Sequence, residues 1–277
     1  MTVPHVWVRI LVGLTLIPVV LLLAWVGGVP FVGFIDLVIV AGLWEFYRMA
    51  AAKGLDPNRP LGLLGAVALS WSAWFDGGRM ATGVITGVVL LAVTLEIITK
   101  RPSSALLNAA STVLGVLYVG WLSSHLILLR ELPRTQPTLT DHDGMGALLV
   151  AFLIPWGCDT AAYFTGRGLG RHRLIPRVST GKTVEGALGG LAGALVGLFA
   201  LRSSFFPFLS RADCWVLGLA GGLVAQVGDL AESLMKRDSQ VKDSSHLIPG
   251  HGGVLDRFDS VLFCAPLVYY YLRMVVL

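Results

Sequence analysis

The distribution of apolar residues calls for an all-α, polytopic membrane protein with about nine transmembrane helices. Hydrophobic residues make up 55% of the chain and charged residues only 14%, with a mean hydropathy of +0.74, far too apolar for an ordinary soluble domain. The apolar residues gather into nine runs joined mostly by short polar connections. A spanning helix takes about 20 residues, so nine occupy roughly 180 and leave no room for a separate soluble domain.

The first run, 10–26, follows Arg9 as a signal peptide would, but Val26-Gly27-Gly28-Val29-Pro30 offers no clean small-x-small cleavage site, so a retained helix is expected. The second, 31–47, carries Asp36 near its middle, and the third, 61–75, is short; either is a candidate for tilt, bending or partial re-entry. Runs 81–98 and 106–129 complete an N-terminal scaffold, 1–144. Asp36 and Glu96 have no acidic cluster around them, and Glu45-Phe46-Tyr47-Arg48 resembles an interfacial anchor, so structural roles are expected for all three acids. Segment 130–143, with Pro133, Pro137 and several Thr, reads as a surface loop. Runs 145–164, 184–201, 214–234 and 254–272 form the C-terminal region, 145–277, where the chemically suggestive residues concentrate.

Basic residues fix an expected orientation, because Lys and Arg collect in cytoplasmic loops. With nine spans, Arg79, Arg130, Arg134, Arg202, Arg211 and Arg273 fall on one side and the other fifteen of the 21 on the opposite side. The N-terminus is therefore expected inside and the C-terminus outside. The net charge of +4 reports this topology before it reports a nucleic-acid partner. Cys158, Cys214 and Cys264 lack any paired spacing and are expected to be packing residues.

Several acids stand where hydrocarbon makes them costly. Asp229, Glu232, Ser233 and Lys236 share one face of the eighth run, opposite Leu223, Val227, Leu230 and Leu234. Asp256 and Asp259 are three apart at the start of the ninth, with Arg257 beside them. Carboxylates converging from two helices suit a hard cation such as Mg²⁺, which commonly joins a few carboxylates to substrate phosphates. The competing reading pairs these acids with Lys236, Arg237, Lys242 and Arg257 in structural salt bridges. Asp159, inside the sixth run, is a further functional candidate.

The connection 236–253 combines Lys236, Arg237, Lys242 and Asp243 with hydroxyls, His246, His251, Gly250, Gly252 and Gly253, a composition suited to a phosphate cradle. A flexible loop rich in positive charge is the alternative, and loop histidines are more often bystanders than ligands. A second segment, 179–186, contains Gly181-Lys182-Thr183 before a helix. It is not a Walker A loop: Pro176 stands where that motif needs Gly, and no β-strand is expected before it. What survives is a hydroxyl- and lysine-bearing turn at a helix N-terminus, where phosphate is favoured.

Taken together these residues resemble the phosphatidate cytidylyltransferases, or CDP-diacylglycerol synthases. The family signature reads here as Ser233, Lys236, Arg237, Lys242, Asp243, Pro249, His251, Gly252, Gly253, Asp256, Arg257 and Asp259, with its spacing intact. Gly228-Asp229-Leu230 with Glu232, and Asp159 with Ala162, Tyr163 and Gly166, resemble further family blocks. Ser179, Lys182, Thr183, Glu185 and Gly186 are similar to another, with Thr180 in its usual proline position. The motifs cover 159–259; before that only the multi-helix pattern matches.

The resemblance implies transfer of the cytidylyl group of CTP to phosphatidic acid in phospholipid biosynthesis, at the cytoplasmic face of a cell (inner) membrane. It implies Mg²⁺ held by Asp229 and Asp256 with Glu232, and room for a second cation. Asp243, Asp259 and Asp159 would stand in or near that shell. Lys182, Lys236, Arg237, Lys242 and Arg257 would hold phosphates, and Ser179, Thr183 and Ser233 would donate hydrogen bonds. Glu185, His251, Gly252 and Gly253 complete the substrate-binding set, and a homodimer is the assembly expected by analogy. The alternatives are a CTP-dependent enzyme for isoprenoid lipids, a polyprenol kinase, or a transporter; the last lacks a matching first half.

Overall fold

The computed structural model describes residues 5–99, 104–248, 250 and 252–277, with backbone only for 5–13, 16 and 99. Lys100, Arg101, Pro249, His251 and the side chain of Arg9 therefore lie outside the described residues. The helices are α1 (His5–Val26), α2 (Gly28–Ala52), α3 (Arg59–Asp76), α4 (Ala81–Thr99), α5 (Ala105–Gly115), α6 (Leu122–Arg130), α7 (Leu132–Thr135), α8 (Asp141–Leu169), α9 (Val184–Phe205), α10 (Arg211–Asp238) and α11 (Leu255–Tyr271). A π-helical stretch, Val116–Trp121, joins α5 to α6, and another, Leu272–Val276, follows α11.

Each of the nine apolar runs is helical, which makes the protein all-α in its membrane part. Among the described residues, seven helices are long and apolar enough to cross a bilayer. These seven are α2, α4, the stretch from α5 through α6, and α8 to α11, the last including its continuation to Val276; α1 and α3 hold the other two apolar runs. Of α1 only Ile17–Val26 is described as apolar helix, and α3 packs Arg59, Asp76, Ser70, Ser72, Trp71 and Trp74 into 18 residues.

The chain forms two compact units, Met1–Leu128 with Asp238–Arg257, and Leu129–Arg237 with Phe258–Leu277. The segment Asp238–Arg257 thus groups with the N-terminal helices.

In the first unit α2, α3 and α5 close around Tyr47, which is 2% exposed. Its ring lies over Gly62 and Gly115, where a Cβ would overlap it, and its hydroxyl donates to Thr112 O at 2.9 Å. Asn58 starts α3 by accepting from Leu61 N–H at 3.0 Å, while its own N–H donates to Thr112 Oγ1 at 2.8 Å. Leu69, Ala81, Val88 and Val116 pack as a small core beside them. Asp36 is stabilised in its helix by the Ser70 hydroxyl and by Trp71 Nε1 at 3.0 Å, a sufficient reason for an acid there.

In the second unit α8 and α9 pack along small residues, the means by which membrane helices approach closely. A Cβ on Gly193 would stand 2.5 Å from Gly157 O, and one on Gly190 2.8 Å from Cys158 Sγ. Thr140 and Asp143 form a reciprocal cap at the start of α8. Cys158, Cys214 and Cys264 are buried free thiols; Cys158 and Cys264 donate to Gly222 O at 3.7 Å and Gly221 O at 3.4 Å. Packing is thus where the cysteines are found.

One expectation is corrected. A short antiparallel hairpin, β1 (Arg173–Ile175) and β2 (Ser179–Thr183), links α8 to α9, pairing Arg173 with Thr183 and Ile175 with Ser179. The Gly181-Lys182-Thr183 string lies inside β2, so a strand does occur there. With Pro176 in the tight connection between the strands, it still has no Walker A geometry.

Candidate active site

The polar face of α10 is turned inward and the apolar face outward, the inverse of a soluble helix. Leu223, Val227 and Leu234 are 55%, 52% and 54% exposed, as lipid contact requires, while Glu232 is wholly buried. Burial of that carboxylate is compensated by an ion pair with Lys236, one turn on. To this extent the salt-bridge reading of the acids is what the structure contains.

Asp229 gathers two other motif residues. The Lys182 ammonium, carried at the end of β2, ion-pairs with its Oδ2, and the Ser233 hydroxyl lies 3.4 Å from its Oδ1. Asp259 of α11, 9% exposed, lies near enough for the charges of Asp229, Asp159 and Lys236 to act on it. Gly228 permits this approach of α10 and α11, because a Cβ there would sit 2.8 Å from Asp259 O and 3.1 Å from the Phe263 ring. Asp159, on α8, is exposed.

The hairpin is braced at its base. Thr183 Oγ1 accepts from Gly186 N–H at 3.1 Å and caps α9. Glu185 accepts from the N–H groups of Arg171, 3.0 Å, and His172, 3.2 Å, and its other oxygen lies 2.6 Å from His172 Nδ1. Glu185 is thus occupied in holding the hairpin to α9. Gly186 and Gly166 meet at the crossing of α8 and α9, a Cβ on Gly186 falling 3.2 Å from Gly166 Cα. Ser179 opens β2, half-buried.

Lys242, Asp243, Gly252, Gly253, Asp256 and Arg257 belong to the first unit. α10 ends at Asp238, which pairs with Lys53 at the end of α2, and Gln240 takes a left-handed conformation, φ 57°. The connection then folds back: Ile248 N–H donates to Gly252 O at 2.9 Å. Asp256, in the first turn of α11, accepts through Oδ2 from Ser244 N–H at 3.0 Å and Gly253 N–H at 2.8 Å. The Ser244 hydroxyl lies 2.8 Å from the same oxygen.

Both signature glycines have a steric reason. Gly252 has φ +83°, and a Cβ on it would stand 2.9 Å from Asp256 Oδ2; a Cβ on Gly253 would overlap Ser244 Oγ and lie 2.5 Å from Glu45 Oε1. Arg237, Lys242, Asp243 and Arg257 are exposed.

Glu45 is the residue that the sequence reading undervalued. It is fully buried, and its carboxylate accepts from the Ser245 hydroxyl, Val254 N–H at 2.9 Å and Leu255 N–H at 2.7 Å, with the Ser244 hydroxyl 3.0 Å away. An aromatic-flanked acid at a helix end looks like an anchor in sequence, and its donors lie about 200 residues away.

Among the described residues no three His, Cys, Asp or Glu side chains form a ready-made metal site. The donor chemistry nevertheless fits a hard cation. Asp159, Asp229, Glu232 and Asp259 outnumber Lys182 and Lys236 by two formal charges, and Mg²⁺ needs only one or two carboxylates when phosphates supply the other oxygens.

The family model described as the cytidylyltransferase family matches residues 7–275. The phosphatidate cytidylyltransferase of Synechocystis sp. is 38% identical, with 88% of this chain and 89% of that protein aligned. That of Brucella suis is 34% identical over 94% and 91%, and that of Bacillus subtilis 33% over 96% and 97%. A membrane protein matched from end to end in this way, with its lysines and carboxylates gathered at α8, β2, α10 and α11, belongs to the cytidylyltransferase family.

Proposed function

We propose that this enzyme transfers the cytidylyl group of CTP to phosphatidic acid, giving CDP-diacylglycerol and pyrophosphate. The observation that carries the reading is the near full-length similarity to three phosphatidate cytidylyltransferases, at 33–38% identity.

In this reaction a phosphate oxygen of the lipid attacks the α-phosphorus of CTP. The bond from that phosphorus to the bridging oxygen of the β-phosphate breaks, and pyrophosphate leaves with the electron pair. The nucleophile is already anionic, so positioning and charge stabilisation matter more than a general base. Lys182 holds its ammonium group beside a partly accessible carboxylate, poised to exchange it for a phosphate oxygen, and Lys236 adds positive charge while it stays paired with the buried Glu232. The exposed Arg237, Lys242 and Arg257 supply further cations. Ser179, Thr183 and Ser233 offer hydroxyl donors, and the narrow backbone at Gly252 and Gly253 suits close approach of an anion.

For Mg²⁺, Asp229 and Asp256 are the carboxylates we assign as ligands, with Glu232, Asp243, Asp259 and Asp159 as neighbours. When bound, the ion polarises phosphoryl oxygens and offsets charge on the leaving group. The same reading includes a second cation, a homodimer, and a cell (inner) membrane location with the motifs facing the cytoplasm. The last is supported by the excess of Lys and Arg in the connections on that side.

The test is formation of labelled CDP-diacylglycerol from CTP and phosphatidate by the purified protein in lipid, with and without Mg²⁺. Mg²⁺-dependent product is expected. Faster turnover of a saturated isoprenoid phosphatidate would reassign the lipid substrate, and solute uptake without CTP dependence would overturn the enzyme reading.

A further inference from the structure

The geometry assigns Glu45 of α2 as a positioning residue for cytidylyl transfer, acting through Ser244, Ser245, Val254 and Leu255 on the Asp256 carboxylate. The inference rests on the functional reading above. A carboxylate inside a membrane protein is expensive unless its charge is answered. Among the described residues four loop groups surround the Glu45 carboxylate, two hydroxyls and two backbone N–H groups.

Those donors are not arbitrary. Val254 and Leu255 provide the first N–H groups of α11, where the helix dipole favours negative charge, so Glu45 caps that helix from another part of the chain. Ser244 is shared: its hydroxyl lies 3.0 Å from Glu45 Oε2 and 2.8 Å from Asp256 Oδ2, so its single hydrogen bridges the two carboxylates. Asp256 in turn holds the N–H groups of Ser244 and Gly253. Two carboxylates thus fasten the same turn of backbone from opposite sides. Moving Glu45 shifts Ser244 and the start of α11, and Asp256 with them.

Simple packing would not require this arrangement. A structural anchor needs one or two hydrogen bonds, whereas each oxygen of Glu45 meets one hydroxyl and one backbone N–H, the Ser244 hydroxyl being shared with Asp256. In Glu45→Gln the amide group keeps the size of the carboxylate but turns two hydrogens toward donors. A serine hydroxyl reorients to accept; a backbone N–H has no such freedom.

The experiment uses the full-length protein in detergent or vesicles and compares wild type, Glu45→Gln and Ser245→Ala. Glu45→Gln is expected to keep its elution profile while kcat falls about 10- to 100-fold, the range seen when groups orienting a ligand are altered. The Mg²⁺ concentration for half-maximal rate should rise while the KM for phosphatidate stays within about twofold. Ser245→Ala removes one donor and leaves the charge in place; a smaller change in the same direction is expected.

A folded Glu45→Gln with wild-type kcat and Mg²⁺ response overturns the proposal. Should Glu45→Gln fail to fold, wild-type kinetics in Ser245→Ala overturn it instead. Trypsin cleavage after the exposed Lys242 supplies a readout independent of turnover. Faster cutting in Glu45→Gln is expected, and an unchanged rate counts against the proposal. If wild type makes no CDP-diacylglycerol, the functional reading has failed, and the cleavage comparison still decides whether Glu45 orders this segment.

Discussion

Lys182 and Asp229 form an ion pair that ties the β-hairpin to the polar face of α10. Both side chains are partly accessible, 26% and 31%, so an arriving phosphate can take up the ammonium group without a buried charge being stranded. Lys182→Met is therefore expected to lower kcat/KM about 10²- to 10³-fold, as loss of one charge-stabilising donor does. Lys182→Arg should recover part of it. Steady-state rates with CTP varied check this.

Asp256 both shapes its loop and stands in the signature, and one substitution separates the two roles. In Asp256→Asn an amide oxygen can still accept from Ser244 and Gly253 N–H, so fold and trypsin resistance should persist. Activity should drop by at least about 100-fold if the charge serves a metal ion. Full activity with an unchanged Mg²⁺ dependence would remove Asp256 from the metal assignment.

Gly253 has no space for a methyl group. Gly253→Ala would press a Cβ onto Ser244 Oγ and Glu45 Oε1, and overpacking of this kind costs about 1–3 kcal/mol. A lower thermal midpoint together with reduced activity is expected. Equal stability to wild type would mean that the loop relaxes freely around the site.

Tyr47→Phe offers the contrast of a change confined to the scaffold. It deletes the hydroxyl that donates to Thr112 O while keeping the ring that packs on Gly62 and Gly115. About 1 kcal/mol of stability is expected to be lost, with kcat and KM unchanged; a kinetic effect would extend the functional region beyond Glu45 to the packing of α3 and α5 around Tyr47.

The orientation is open to cysteine labelling, since the three native thiols are buried. Thr138→Cys, in the loop before α8, should react with an impermeant maleimide in intact cells. Arg177→Cys, in the hairpin, should react only after permeabilisation. The reverse pattern would invert the topology.

Much of this was legible in the sequence for a physical reason: lipid enforces long apolar runs, and all nine became helices. The polar stripe Asp229, Glu232, Ser233 and Lys236 was legible because a helix converts spacing into a face. The hairpin was not, since β1 and β2 are only three and five residues long and carry no hydrophobic alternation. Nor was the link from Glu45 to Ser244 and Leu255, because a contact across 199 to 210 positions leaves no local pattern.

That separation has a consequence for how the protein is made. Glu45 is synthesised early, inside one of the first helices to meet the membrane, whereas the hydroxyls and N–H groups that answer its charge come some 200 residues later. At about 5–20 residues per second the delay is roughly 10 to 40 s. Throughout it α2 carries a carboxylate without its eventual partners. The charge carried by α2 is thus answered only once the chain has been completed as far as α11.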